Sequence, residues 1–408
     1  MKILYGVQRY GTEVGGGAES ACRSLAERMA ARGHHVEVIT SCAVDYVTWA
    51  DEYPQGVTTL NGVTVHRLPV RAPRTPEQFG PISQRVLTRP HAPLAVEQDW
   101  VRVQGPDLPG LVPWLEAEAG RFDIAAFYTY LYPPSAFGLP AAARSTATVL
   151  HPAAHDEPMI DLFVFDALFR QADAICVHTP EELETVRRRF HFEPLTGVVG
   201  LGVDVHPPPA DGERFRAAHG IGNEPILLYN GRVEPGKGTD ELARYFIEYK
   251  RHHPEPLKLV LVGPLVAPVE AHPDIICTGY VDVQTRLDAY AAAFSFVMPS
   301  YFESFSIALC DAWVVRRPAL VNGACAVLEG QAARSGAALP YRGVAEFRAA
   351  LRAIIERPVL CAAMGESGRR YVMEHYEWNA VLTSYERLLC SAIEHRRRAQ
   401  MGTTSPGG

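Results

Sequence analysis

GRVEPGKGTDEL, residues Gly231 to Leu242, places two cations, Arg232 and Lys237, five positions apart and brackets the lysine with Gly236 and Gly238. The preceding stretch, PILLYN, is a short apolar run of strand character. The following one, TDELARYFIEYKRHH, carries helical spacing, with Thr239 or Asp240 as its N-cap. Both cations therefore fall in a strand-to-helix turn. Open α/β sheets hold ligands at such turns, and helix N-termini attract anions through their unpaired amides and dipole. The two glycines let a ligand approach the backbone, so the segment is read as an anion site.

Working outward, the second half is a run of such units: PILLYNG, LKLVLVG, DIICTGY, FSFVMPS, RPALVNG and GAALPY, each followed by a helix or turn. The first half has its own run: MKILYGV, HHVEVITS, VTVHRLPV, FDIAAFYTY, TATVLH, ADAICVHT and TGVVGLG. Alternating strands and helices predict parallel sheets covered on both faces. Residues 71–110, rich in Pro, Gly and Gln, read as a long, partly helical excursion. GVDVHPPPADG interrupts the pattern, because three consecutive prolines continue neither a helix nor a central strand. The expected division is thus residues 1–205 and 206–377. A last helix at about 378–398 would pack back on the first domain, and 399–408 would form a disordered tail.

Charge narrows the partners. The net charge of −7 lies in residues 1–205, with 17 Lys and Arg against 24 Asp and Glu, while the remainder has 22 of each. Neither half is basic, which argues against nucleic acid or anionic lipid as the main partner. The arginine run of VRRRFHF reads as a solvated helix end. The first residues read as a strand rather than a signal peptide, and no apolar run reaches the ~20 residues of a spanning helix. Eight scattered cysteines without a CxxC pair read as reduced thiols of a cytoplasmic protein. Nothing in the sequence speaks to oligomeric state.

Three further stretches carry chemistry. Gly15, Gly16 and Gly17 lie between the first strand and first helix, where backbone N–H groups could meet a phosphate. In MPSYFESFSIALCDAW a strand ends, a loop carries Glu303, and a helix starts near Phe305 with Ser304 as cap. The amides of Phe305, Ser306 and Ile307 would form a second anion site, with Asp311 farther along the same helix. In TATVLHPAAHDEP, His151 ends a strand and His155 and Asp156 follow in a loop. Hydrogen bonding to a polar ligand, a structural role and a metal site are all open there, although zinc needs further ligands from elsewhere. Asp-x-Asp, a pattern that holds metal-bound diphosphates, does not occur in the chain.

Together, GGGAES, RGHHVEVIT, HPAAHDEP, LGVDV, NGRVEPGKG, LVLVGP, TGYV and PSYFESFSIALCDAW, in this order and spacing, resemble glycosyltransferase family 4 over most of the chain. The resemblance implies an α/β protein of two Rossmann-like domains facing across a cleft (GT-B). It also implies retaining transfer of a sugar from a nucleotide-diphosphate donor, a UDP-sugar favoured, with neither metal nor other cofactor. By resemblance Arg232 and Lys237 grip the diphosphate, Gly16 and Gly17 face the phosphates and acceptor, and Glu303 and His151 meet the transferring sugar. The backbone at Tyr280 and Val281 would read the base. Asp311 stands where the family has a ribose-binding Glu, one methylene shorter. The acceptor is open: a glycan, natural product, lipid or metabolite. Alternatives are a sugar-nucleotide epimerase, a phosphorylase, a metallohydrolase built on His151, His155 and Asp156, and a catalytically silent nucleotide-sugar binder.

Overall fold

The computed structural model describes residues 1–88 and 92–403. Two compact units divide it: Met1–Gly200 with the last helix from Val381 onward, and Leu201–Ala380. The border lies five residues before the expected 205, because Val203 and Val205 are already core residues of the second unit. The last helix is Trp378–Thr403, so 399–403 continue it instead of beginning a tail. The rest of the expected tail, 404–408, lies outside the described residues.

The first unit is an eight-stranded sheet of β1 (Lys2–Gly6), β2 (His35–Ser41), β3 (Gly56–Leu60), β4 (Val63–Leu68), β5 (Ile124–Tyr128), β6 (Ala147–His151), β7 (Ala174–Val177) and β8 (Thr196–Val198), in the order β3-β4-β2-β1-β5-β6-β7-β8. Apart from β3, these are the strands expected from sequence. β3 corrects the all-parallel expectation: it pairs antiparallel with β4. Asn61 and Gly62, with φ of 50° and 83°, make the tight turn that joins them. From the last helix, Glu386 bonds Arg32 at 2.9 Å and Arg396 donates to the carbonyl of Ala143 at 2.5 Å, both within this unit.

The second unit is a six-stranded parallel sheet of β9 (Ile226–Asn230), β10 (Lys258–Val262), β11 (Ile275–Gly279), β12 (Ser295–Met298), β13 (Ala319–Asn322) and β14 (Ala338–Tyr341), in the order β11-β10-β9-β12-β13-β14. Its central strands are apolar without alternation, as Ile226, Leu227 and Leu228 are all fully buried, because helices cover both faces. Strand order reverses between β9 and β12: β10 and β11 extend one way and β12 to β14 the other. Such a reversal sends consecutive loops to opposite faces and opens a crevice at the C-terminal strand edge.

At that edge backbone meets backbone. Gly231 (φ 156°) donates to the Val262 carbonyl at 2.9 Å. A Cβ on Gly263 (φ 134°) would lie 2.0 Å from the Gly231 carbonyl oxygen. One on Gly238 (φ 71°) would lie 2.6 Å from the Pro299 carbonyl oxygen, which links the loop after β9 to the end of β12. Gly236 differs, since a Cβ there meets nothing within 4 Å. Gly263→Ala is therefore expected to destabilise the chain by about 2–4 kcal/mol, combining left-handed strain with a backbone clash. Gly236→Ala should shift stability by no more than about 1 kcal/mol. Thermal unfolding of both variants checks the contrast.

Candidate functional site

Lys237 and Glu303 meet at the strand-order reversal. Lys237 ends a short 3₁₀ turn, Pro235–Lys237, in the loop after β9. Glu303 lies in the loop after β12. The Lys237 Nζ to Glu303 Oε1 distance is 2.8 Å. Arg232 pairs within its own loop with Glu234, at 3.1 Å. The Tyr229 hydroxyl donates to the Arg232 carbonyl at 2.7 Å. Burial pushes that phenol's pKa up, Glu303 and Glu234 push it further, and Arg232 opposes them. Asn230 Nδ2 donates to the Tyr290 hydroxyl, which donates to the Ala308 carbonyl, both at 3.0 Å. This relay fastens the end of β9 to the helix Ile307–Val314.

Two expected caps move. The helix after the lysine, Thr239–His252, is capped by the left-handed Gly238, while Thr239 Oγ1 bonds the Glu234 carbonyl. The helix Ile307–Val314 is capped by Ser306 (φ 73°), not Ser304, and without a side-chain capping bond. Ser306 Oγ is buried without a hydrogen-bond partner. The first helical residue is Ile307, and Phe305 turns inward against Tyr376, ring centroids 4.7 Å apart. Tyr280, 80% exposed, follows β11, two strands and about 10 Å from β9. Val281 packs against the core beside it.

Asp311 sits on the helix Ile307–Val314 with its carboxyl pKa raised to about 6. Desolvation is the main cause, Arg286 opposes it, and Asp204 adds to it.

In the first unit Gly16 (φ 148°) caps the helix Gly17–Ala31. A Cβ on Gly16 would lie 2.3 Å from Glu19 Oε2, whereas one on Gly17 meets open space. Beneath this loop Arg9 Nε donates to Glu19 at 3.0 Å, and Arg9 also bonds the Gly15 carbonyl at 2.9 Å and the Val44 carbonyl at 2.6 Å. The buried Arg9–Glu19 pair thus shapes the glycine loop, and the sequence reading did not single it out.

His151 ends β6 as expected, but only 3% of it is exposed. It stacks on Tyr128, centroids 4.1 Å apart, and its Nε2 meets the Tyr385 hydroxyl at 3.0 Å. Burial pushes its pKa well down, with His178 adding to the effect, so it is a neutral interior ring. His155 and Asp156 diverge: His155 lies 3.5 Å from Glu157, and Asp156 pairs with Arg188 at 2.8 Å. Their loop is pinned by buried Glu182, which accepts from Ala154 N at 2.8 Å and His178 N at 2.7 Å. Among the described residues no three His, Cys, Asp or Glu side chains converge as metal ligands, and no helix is long and apolar enough to cross a membrane.

The fold prefers Asp311 protonated. Its contribution to stability is present below about pH 4 and is lost as pH rises through 6. Asp311→Asn should therefore raise stability over the parent by roughly 1–3 kcal/mol near neutrality. That gain should vanish at about pH 4. Denaturant titrations at the two pH values measure it.

Two family models match the chain: the 4-like glycosyl transferase domain over residues 16–202 and the glycosyl transferases of group 1 over residues 224–357. Among curated relatives, D-inositol 3-phosphate glycosyltransferase 2 of Catenulispora acidiphila is 29% identical over 59% of this chain. The chain spans 61% of that relative's length. Among solved structures, sucrose-phosphate synthase from Thermosynechococcus elongatus superposes with a TM-score of 0.69 at 19% identity, covering 99% of this chain and 100% of that one. Anabaena HepE, solved with UDP and glucose, gives 0.67 at 15% identity, covering 96% and 100%.

Proposed function

The chain belongs to the group 1 glycosyltransferases with a type 4-like first domain, and from that premise we propose that it transfers a sugar, with retention, from a nucleotide-diphosphate donor to an acceptor hydroxyl. The observation that carries the reading is the cation pair Arg232 and Lys237 on the loop after β9, with Lys237 2.8 Å from Glu303 on the loop after β12. A diphosphate leaving group accumulates charge as the bond to the anomeric carbon breaks. Fixed cations and oriented amides offset that charge with little reorganisation, which is where such sites gain most of their rate. Here Arg232, Lys237 and the amides at the start of Ile307–Val314 take that role, without a metal.

In this reading the C1–oxygen bond to the diphosphate breaks, a new C1–oxygen bond to the acceptor forms, and the acceptor's proton passes to the departing diphosphate. Glu303 contacts the sugar, Asp311 the ribose hydroxyls, and the backbone at Tyr280 and Val281 the base. A UDP-sugar is the proposed donor, supported by the fold shared with HepE, whose structure holds UDP. The acceptor is assigned to the first unit, with Gly16, Gly17, His155 and Asp156 on its loops. The interior position of His151 supports a role in fixing the end of β6 ahead of one in direct sugar contact.

Lys237→Ala and Arg232→Ala should each lower kcat/KM by about 10²–10³. Thermal stability should change little, since both side chains sit in partly exposed ion pairs. Turnover of radiolabelled UDP-sugar is the readout. Undiminished activity in both variants contradicts the proposal, and an isomerised nucleotide sugar formed without acceptor points to an epimerase instead.

A further inference from the structure

The opening motif carries an anion of its own between its cations. Glu234 lies two residues after Arg232 and three before Lys237, and its carboxylate is 3.1 Å from the Arg232 guanidinium. Its backbone is fixed: the Glu234 carbonyl accepts from Lys237 N and from Thr239 Oγ1, both at 3.0 Å. The side chain is therefore held opposite Arg232 by the same turn that presents Lys237. With Glu303 on Lys237, each cation of the motif faces a carboxylate: Arg232 meets Glu234 at 3.1 Å and Lys237 meets Glu303 at 2.8 Å. A diphosphate that takes the Arg232 guanidinium displaces the Glu234 carboxylate from it.

The two pairs are not equivalent. Arg232 and Glu234 side chains are 41% and 19% exposed, against 28% and 13% for Lys237 and Glu303. The wetter pair is the more screened and the easier to open. We propose that Glu234 is an internal competitor for the Arg232 guanidinium, holding the face that the donor's diphosphate must take and so setting how tightly donor and product bind. This rests on the donor reading above. Its consequence is a deliberately moderate grip: the product diphosphate is released against a carboxylate ready to replace it, which favours turnover where product release limits the rate.

Titration calorimetry with UDP on the full chain tests it, using the parent, E234Q, R232A and the R232A/E234Q double variant. E234Q should bind UDP about two- to fivefold more tightly at low ionic strength, the range expected for releasing one exposed pair. The gain should shrink as salt screens the pair, and it should disappear in the R232A background, where there is no guanidinium to contest. Equal or weaker binding by E234Q overturns the assignment. So does a gain that persists with Arg232 removed, since that would be a general field effect of the lost charge. If neither parent nor E234Q binds UDP or another nucleoside diphosphate, the donor reading itself fails and takes this one with it. Binding by the parent with no gain in E234Q sinks only this one.

Discussion

The proposed site of the second unit depends on the close approach of two loops whose charged ends lie 66 residues apart in the chain. Lys237 reaches Glu303 because β9 and β12 are neighbours in the sheet and because Gly238 has no Cβ to hold its loop off the Pro299 carbonyl. Any larger residue at Gly238 would meet both a left-handed backbone and a carbonyl oxygen. The apolar strands, the glycine edge and the strand reversal bring Arg232, Glu234, Lys237 and Glu303 to one strand edge. The same constraint explains why the loop's own carboxylates matter, since cations at such spacing find the nearest negative charge, from the chain or from a ligand.

The first unit repeats the geometry with different chemistry. Its order reverses between β1 and β5, again placing a glycine-rich turn at the crevice edge. There the buried Arg9 spends its hydrogen bonds on Glu19 and on the carbonyls of Gly15 and Val44. The buried Arg9 guanidinium fixes its loop, whereas Arg232, 41% exposed, pairs with Glu234 at the protein surface. That difference in burial, not the residue type, is what suits Arg9 to a structural role and Arg232 to the proposed diphosphate contact.

Most strands were legible because buried parallel strands are short apolar runs bounded by turn residues, and PILLYN, LKLVLV and SFVM all have that form. β3 was missed because GVTTL lies open on an edge, with its first four residues exposed, so no apolar run marks it. The Asn61-Gly62 turn was the signal that could have found it. The caps shifted for a tertiary reason: Gly238 and Ser306 take left-handed backbones where strand-edge loops turn into helices, and local preference for Thr or Ser side chains does not report that. His151 was placed at its strand end correctly, but its burial depends on Tyr385, 234 residues away, which no local pattern discloses. Glu234 was in plain view inside GRVEPGKG; its meaning needed the 3.1 Å contact.

The turn after β9 and the loop after β12 are proposed to hold a diphosphate through Arg232, Lys237 and backbone amides. The most direct measurement is a crystal structure of the chain grown with UDP and magnesium. Both phosphates are expected on Arg232 and Lys237 beside the start of Ile307–Val314, with no metal between phosphate and protein. Phosphates bound at another part of the sheet edge, or bridged to the protein by magnesium, would contradict it.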